Sequence, residues 1–214
     1  MFTTHATFLL AGQTVHHITF NPSTFSDADL LWLPHYHQLA EAGRKRKADH
    51  LAGRIAAFHA LNGQTVPGIG NNGEPLWPTG ITGSISHSGT QAVAICRQNG
   101  LTGIDCESII AEKESREIQD GAIHPQEAQL LTQSGLPFDL AFTLTFSAKE
   151  SLFKALFPQV QAWMGFDSAR ITALNADTLT LTLTRPLPPF AQNQPFTLHW
   201  CRLDAMVVTL ICDE

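Results

Sequence analysis

Apolar residues recur at Ala48, Leu51, Ile55 and Phe58, a three-to-four spacing that predicts a helix within residues 38–61 with one face turned to a core. The same period at Leu144, Ala148, Leu152 and Ala155 predicts a longer helix over residues 137–157. A shorter helix is predicted over 125–134, with Pro125 in its first turn and Gly135 just past its end. Elsewhere the period drops to two. Segments 169–174, 178–184, 195–200 and 206–212 alternate apolar and polar positions as strands do, and the proline-rich stretch 185–195 between them reads as a loop. In the first half, strand-like runs fall at 85–88, 91–96 and 101–107. Asn99-Gly100 between the last two predicts a hairpin with 101–107 as one arm. Residues 62–83 are dense in Gly, Pro and Asn and predict a long ordered loop, while 108–121 is polar and ambiguous. Helix and strand signals therefore occur in both halves, an α+β pattern.

Two of these segments carry chemistry. On a strand at 103–107, Ile104 and Cys106 point to one face and Asp105 and Glu107 to the other. On the 137–157 helix, Glu150 and Lys154 are four apart and share a stripe, with Lys149 turned about 100° away. Three carboxylates with two lysines could hold a divalent metal against a phosphorylated substrate, and hard oxygen ligands suit magnesium. Taken singly, each segment has a plainer reading. Asp-x-Glu is often the wet side of a half-buried sheet, and Glu150 with Lys154 could be a surface ion pair worth about 0.3 kcal/mol.

The formal net charge of −6 argues against general nucleic-acid binding, yet five of the thirteen basic residues lie between Arg44 and Arg54. On the first helix, Arg46, His50 and Arg54 form a stripe about 12 Å long that suits a phosphate. A solvated basic face and a nucleic-acid patch are its alternatives. With 214 residues and 43% hydrophobic content the chain can bury a substantial core, as one domain or two intimate halves. No stretch reads as a membrane span, and the start MFTTHATFLL lacks the basic end and apolar run of a signal peptide, so a cytoplasmic protein is expected. Cysteines 96, 106, 201 and 212 form no CxxC pair, which predicts reduced thiols. His16-His17 and His35-x-His37 have no cysteine or carboxylate close in sequence, and no transition-metal site is expected of them.

Gly103-Ile104-Asp105-x-Glu107, followed on the next long helix by Phe146-Ser147-x-Lys149-Glu150-Ser151-x-x-Lys154, resembles the paired signature of the 4'-phosphopantetheinyl transferases of the surfactin and enterobactin type. The resemblance extends through residues 30–36, 42–57, 74–78 and 83–90, and so over nearly the whole chain. It implies a fold of two similar α+β halves related by a pseudo-twofold, divided here as 1–101 and 102–214, with mainly antiparallel strands and a long helix in each half. The implied activity is Mg2+-dependent transfer of the 4'-phosphopantetheine arm of coenzyme A to a serine of an apo carrier protein, releasing adenosine 3',5'-bisphosphate.

By resemblance, Asp105, Glu107 and Glu150 would hold the metal, with the Cys106 backbone as a further ligand. Glu150, Lys154, His87 and Lys149 would be catalytic. Arg46 and Arg54 would read the 3'-phosphate of coenzyme A, and Asn72, Gly73, Glu74 and Pro75 would wrap its adenine and phosphate end. Ser86, His87, Asp105, Glu150 and Lys154 would contact the same molecule, and Trp163 would border the pantetheine arm. Relatives commonly carry lysine where this chain has Asn72.

The implied partners are apo aryl or peptidyl carrier domains of a nonribosomal peptide synthetase in enterobactin-type siderophore synthesis, with fatty-acid carrier protein as the alternative. A monomer is expected, cytoplasmic or in a loose biosynthetic complex, with no nucleic-acid partner. A noncatalytic carrier-domain binder would have no need of the three carboxylates. A pyrophosphate hydrolase of the Nudix kind would carry a Glu-rich helical motif that this chain lacks.

Overall fold

The computed structural model describes residues 1–213. It divides into two compact units, the first running Met1–Thr102 and the second beginning at Gly103.

In the first unit, Ala11 and Gly12 both take left-handed backbone angles (φ 51° and 72°) and close a tight turn between β1 (Phe2–Leu10) and β2 (Gln13–Asn21). Short 3-10 turns follow before α1 (Arg44–Ala60), then a two-residue ladder of β3 (Gly68–Ile69) with β4 (Pro75–Leu76), and finally β5 (Ile81–Ser88) and β6 (Gln91–Gln98). The sheet order is β1-β2-β6-β5, with every pairing antiparallel. The expected loop at 62–83 thus contains the small β3–β4 ladder and ends where β5 begins.

Helix α1 starts at Arg44, one turn before the first residue of the apolar period, because Gly43 is extended (φ −65°, ψ 155°) and caps it, while Tyr36–Leu39 forms a separate 3-10 turn. Its core face is built from small residues. Ala48, Leu51, Ala52 and Ala56 pack on Ile18, Phe20, Ala92 and Ala94 of the sheet, while Ile55 and Phe58 are only half-buried. Small side chains let helix and sheet approach closely. A Cβ on Gly53 would stand 2.8 Å from Ile85 Cγ2, so this approach requires glycine.

The second unit carries β7 (Thr102–Ser108), α2 (Glu112–Ala122), α3 (Pro125–Gln133), α4 (Phe138–Val160), β8 (Ala169–Leu174), β9 (Thr178–Leu183), β10 (Pro195–Leu203) and β11 (Met206–Cys212). Its sheet order is β7-β11-β10-β9-β8, and the pairings among β8, β9, β10 and β11 are antiparallel. The ambiguous segment after β7 is the helix α2. Helix α4 packs chiefly on β11, with Leu144, Ala148, Leu152 and Ala155 buried as the period predicts. Each fully buried leucine contributes about 1.5–3 kcal/mol through removal from water. Among the described residues, no helix is long and apolar enough to cross a membrane.

The hairpin expected at Asn99-Gly100 is a correction. Both residues do adopt left-handed angles (φ 58° and 83°), but β6 belongs to the first sheet and β7 pairs with β11 in the second. Asn99 is instead tied back to the start of β5, its N–H donating to Gly80 O at 3.3 Å and its carbonyl accepting from Thr82 Oγ1 at 2.9 Å. What decides the partner of β7 is packing. A Cβ on Gly103 would come within 2.0 Å of the Ser151 carbonyl, so glycine is what lets the strand lie against α4.

Candidate active-site residues

In the second unit, the close approach at Gly103 brings the following residues of β7 within reach of α4. Lys154 Nζ donates to Asp105 Oδ1 at 2.7 Å and to Ile104 O at 3.3 Å. Asp105 is 3% exposed, so its face of β7 is not a wet one; Ile104 and Cys106 are fully buried on the other face. Glu150 sits one turn before Lys154 and is half-buried. Burial pushes its pKa up, the charge of Asp105 pushes further, and Lys154 pulls back. Burial works against the Lys154 ammonium, but Asp105, Cys106 and Glu150 outweigh it and hold its pKa above the ordinary value. Glu107 lies two positions beyond Asp105 on the same face and is half-buried. The Cys106 thiol is sealed on the opposite side, which leaves only its backbone for a ligand role.

Two expected residues lie elsewhere. Lys149 is 0% exposed, and Nζ donates to Glu127 Oε2 at 3.1 Å, Ala122 O at 3.0 Å and Phe166 O at 3.0 Å. All three donors of the ammonium are thereby used. Glu127 in turn accepts from the backbone N–H groups of His124 and Ile171, so the pair locks α3, α4 and β8 together. Lys149, expected to be catalytic, points about 100° away from Glu150 and about 140° away from Lys154, into this buried clasp. Trp163, in the turn after α4, is 87% exposed.

In the first unit, α1, β4 and β5 line a cleft of about 610 Å³ whose wall includes Arg46, Asp49, His50, Arg54, Pro75 and His87. The i, i+4, i+8 spacing of the basic stripe is realised there. Arg54 is only 5% exposed. One of its terminal nitrogens donates to Gly68 O at 2.9 Å, while its buried Nε has no hydrogen-bond partner among the described residues. Burial lowers its pKa to about 10, which leaves the guanidinium charged at neutral pH. A buried, charged donor on a cleft wall favours an anion there.

His50 behaves differently. Its Nε2 meets His35 Nε2 at 2.9 Å, and burial, followed by Arg54, His35, Arg46 and His87, lowers its pKa to about 3. His50 is therefore a neutral member of a basic stripe. Gly73, with φ 85°, lines the same cleft, and Asn72 donates its N–H to Glu74 Oε2 at 2.8 Å. The Glu74 carboxylate also fills the space beside Gly70, so Glu74 holds the shape of its own turn. Ser86 is buried on β5, one residue before His87.

Sequence reasoning missed two carboxylates, Asp49 and Glu127. The signals were present: Asp49 is four residues after Lys45, and Glu127 three after His124, the spacing of a capping box. Three other histidines of the first unit pair with one another, and a fourth meets a side-chain amide. His5 stacks on His59 with centroids 3.8 Å apart and meets His16 at 3.0 Å, and His17 meets Gln91.

Among the described residues, no three His, Cys, Asp or Glu side chains are arranged as a ready-made metal cage. Magnesium does not require one, since it is usually bound by one or two carboxylates with waters and substrate phosphates. Asp105 and Glu150, two carboxylates near enough that one raises the pKa of the other, have the chemistry such an ion relieves.

The profile of the 4'-phosphopantetheinyl transferase superfamily matches residues 102–202, and that of the 4'-phosphopantetheinyl transferase N-terminal domain matches residues 35–97. The chain is 44% identical to a protein of Escherichia coli (strain K12) named enterobactin synthase component D, over 98% of each chain. The chain belongs to the 4'-phosphopantetheinyl transferases. A Salmonella typhi protein, also named enterobactin synthase component D, is 44% identical over 99% of this chain and 91% of its own length. A 4'-phosphopantetheinyl transferase of Nocardia iowensis is 33% identical over 72% of this chain and 75% of its own. This is an enzyme family, and its α+β architecture is the one described above. The first profile contains Asp105, Glu107, Glu150 and Lys154, and the second contains Arg46, His50, Arg54 and His87.

Proposed function

We propose that this phosphopantetheinyl transferase moves the 4'-phosphopantetheine arm of coenzyme A to the hydroxyl of a serine on an apo aryl or peptidyl carrier domain of an enterobactin-type synthetase. The named relatives support that choice of carrier. The serine oxygen attacks the phosphorus that bears the pantetheine arm. The bond from that phosphorus to the bridging pyrophosphate oxygen breaks, and adenosine 3',5'-bisphosphate leaves.

In the second unit, Glu150 takes the serine proton. Before an ion is bound, burial and then Asp105 raise its pKa, so its carboxylate takes up a proton more readily than an exposed glutamate. Lys154, kept charged by Asp105, donates to phosphate oxygens as negative charge grows on the leaving group. Magnesium held by Asp105, Glu107 and Glu150 would supply Lewis-acid stabilisation of the same oxygens. In the first unit, Arg46, Arg54 and His87 bind phosphate groups of coenzyme A, and the turn from Asn72 to Pro75 borders the nucleotide.

The observation that carries the coenzyme A reading is Arg54, a buried guanidinium on a cleft wall whose Nε has no hydrogen-bond partner among the described residues. A charged hydrogen bond to phosphate is worth about 1.5–3 kcal/mol, or about ten- to a hundredfold in affinity. Arg54→Ala should therefore weaken coenzyme A by that factor in calorimetry and affect 3'-dephospho-coenzyme A far less. Equal losses for the two ligands would remove the 3'-phosphate assignment.

A further inference from the structure

The cleft of the first unit contains one residue that does not belong in a site for anions. Asp49 is a buried carboxylate, and among the described residues that line the cleft it is the only acid. It would repel any phosphate bound beside it. Its contact with Lys45, at 2.6 Å, does not explain its burial, because the Lys45 side chain is 81% exposed and such i, i+4 pairs form readily on helix surfaces. The same oxygen, Oδ2, lies 3.8 Å from His87 Nδ1, across from α1 to β5.

The two histidines of this cleft are thus set apart. His50 is tied to His35, crowded by Arg46 and Arg54, and held neutral down to a pKa of about 3. His87 has a carboxylate at its Nδ1 edge, and its side chain is 45% exposed. A carboxylate at one ring nitrogen selects the orientation of the imidazole and favours its charged form, in which the other nitrogen is a donor as well. The separation is longer than a hydrogen bond, and such contacts often tighten only when the ligand arrives.

We propose that Asp49 is a positioning residue, whose carboxylate turns His87 Nδ1 toward α1, keeps the ring charged and presents Nε2 to a phosphate of coenzyme A. The proposal rests on the coenzyme A reading above. Among the described residues that line the cleft, Asp49, Lys45, Arg46, His50 and Arg54 of α1 stand opposite His87, with Pro75 of β4 beside them. On this wall of the cleft one acid is therefore set among three permanent cations, and removing it strengthens their net repulsion of a charged His87.

The test uses the full chain and two readouts. In the ligand-free protein, the His87 ring is titrated by NMR for the wild type, Asp49→Asn, Asp49→Glu and Lys45→Ala. Coenzyme A binding is measured by calorimetry at about pH 6 and about pH 8. Asp49→Asn should lower the His87 midpoint by about one pH unit, a tenfold change in proton affinity. Coenzyme A should then bind several-fold more weakly near neutral pH, with the gap closing as the pH falls and His87 becomes protonated in both proteins. Asp49→Glu should restore most of the midpoint. Lys45→Ala should move it the other way, because it leaves the Asp49 charge to His87 alone, and this arm survives even if Asp49→Asn folds poorly. The His50 signal should not titrate over this range.

An unchanged His87 midpoint in both Asp49→Asn and Lys45→Ala would overturn the proposal and leave Asp49 as a helix ion pair. Shifted midpoints with no pH-dependent gap in coenzyme A binding would overturn the phosphate half of it. A wild type that binds no coenzyme A at either pH would instead bring down the functional reading, while the titration still reports on the Asp49–His87 contact.

Discussion

Asp105→Ala should reduce single-turnover transfer at saturating coenzyme A and Mg2+ by at least about a hundredfold, the scale on which removing an electrostatic group at a reacting phosphate or metal is felt. Two things are lost together. The carboxylate oxygens are removed from beside Glu150, and Lys154 loses the partner that stands 2.7 Å from it. The fold should survive, since the Lys154 side chain is 30% exposed and its ammonium can turn to water. A stability loss of about 1–3 kcal/mol is expected, a shift of a few degrees in the melt. Wild-type turnover in this variant would remove Asp105 from the chemistry. A collapsed melting transition would make its role structural.

The second large effect is on stability. Lys149→Met should destabilise the protein by about 3–5 kcal/mol, because it leaves the buried Glu127 carboxylate without its counter-charge. That corresponds to a fall in Tm on the order of 10 °C. The double variant Lys149→Met/Glu127→Gln should recover part of the loss, since no buried charge is then left alone. Burial pulls the pKa of the Lys149 ammonium down while Glu127 pulls it back, so the pair resists separation only while both members are present. At a temperature where the single variant is folded, its turnover should stay within a few-fold of wild type. Unchanged Tm with lost turnover would return Lys149 to the catalytic group.

How far these positions could be read in advance depended on whether one element or two decides them. The inward face of α4 follows from its own period, and Leu144, Ala148 and Leu152 are fully buried as expected. The opposite faces of Ile104 and Asp105 follow from strand geometry, although the depth of Asp105 does not, since it depends on how closely α4 approaches at Gly103. The Asn99-Gly100 turn has the local conformation its residues dictate, but which strand pairs with β7 is set by packing between distant segments.

Lys149 and Lys154 show the same limit within a single helix. Their sequence context is equally suggestive, and only the positions of Glu127 and Asp105 reveal that one is a clasp and the other stands beside Glu150. The stripe of Arg46, His50 and Arg54 was legible from spacing. The neutrality of His50 was not, because it arises from its burial and then from the charge of Arg54, with His35 beside it, and the contact of Asp49 with His87 was not, because His87 lies on another element.

The most direct measurement is the mass of the acceptor. Purified protein is incubated with coenzyme A, Mg2+ and a panel of apo carriers, including an aryl carrier domain, a peptidyl carrier domain and a fatty-acid carrier protein, and each carrier is then weighed by mass spectrometry. The account expects the aryl or peptidyl carrier to gain the mass of one phosphopantetheine group, located on a serine, with adenosine 3',5'-bisphosphate formed in equal amount. Carriers that keep their apo mass while coenzyme A is cleaved to free products, or while it stays intact in the presence of active Mg2+-loaded protein, would contradict it.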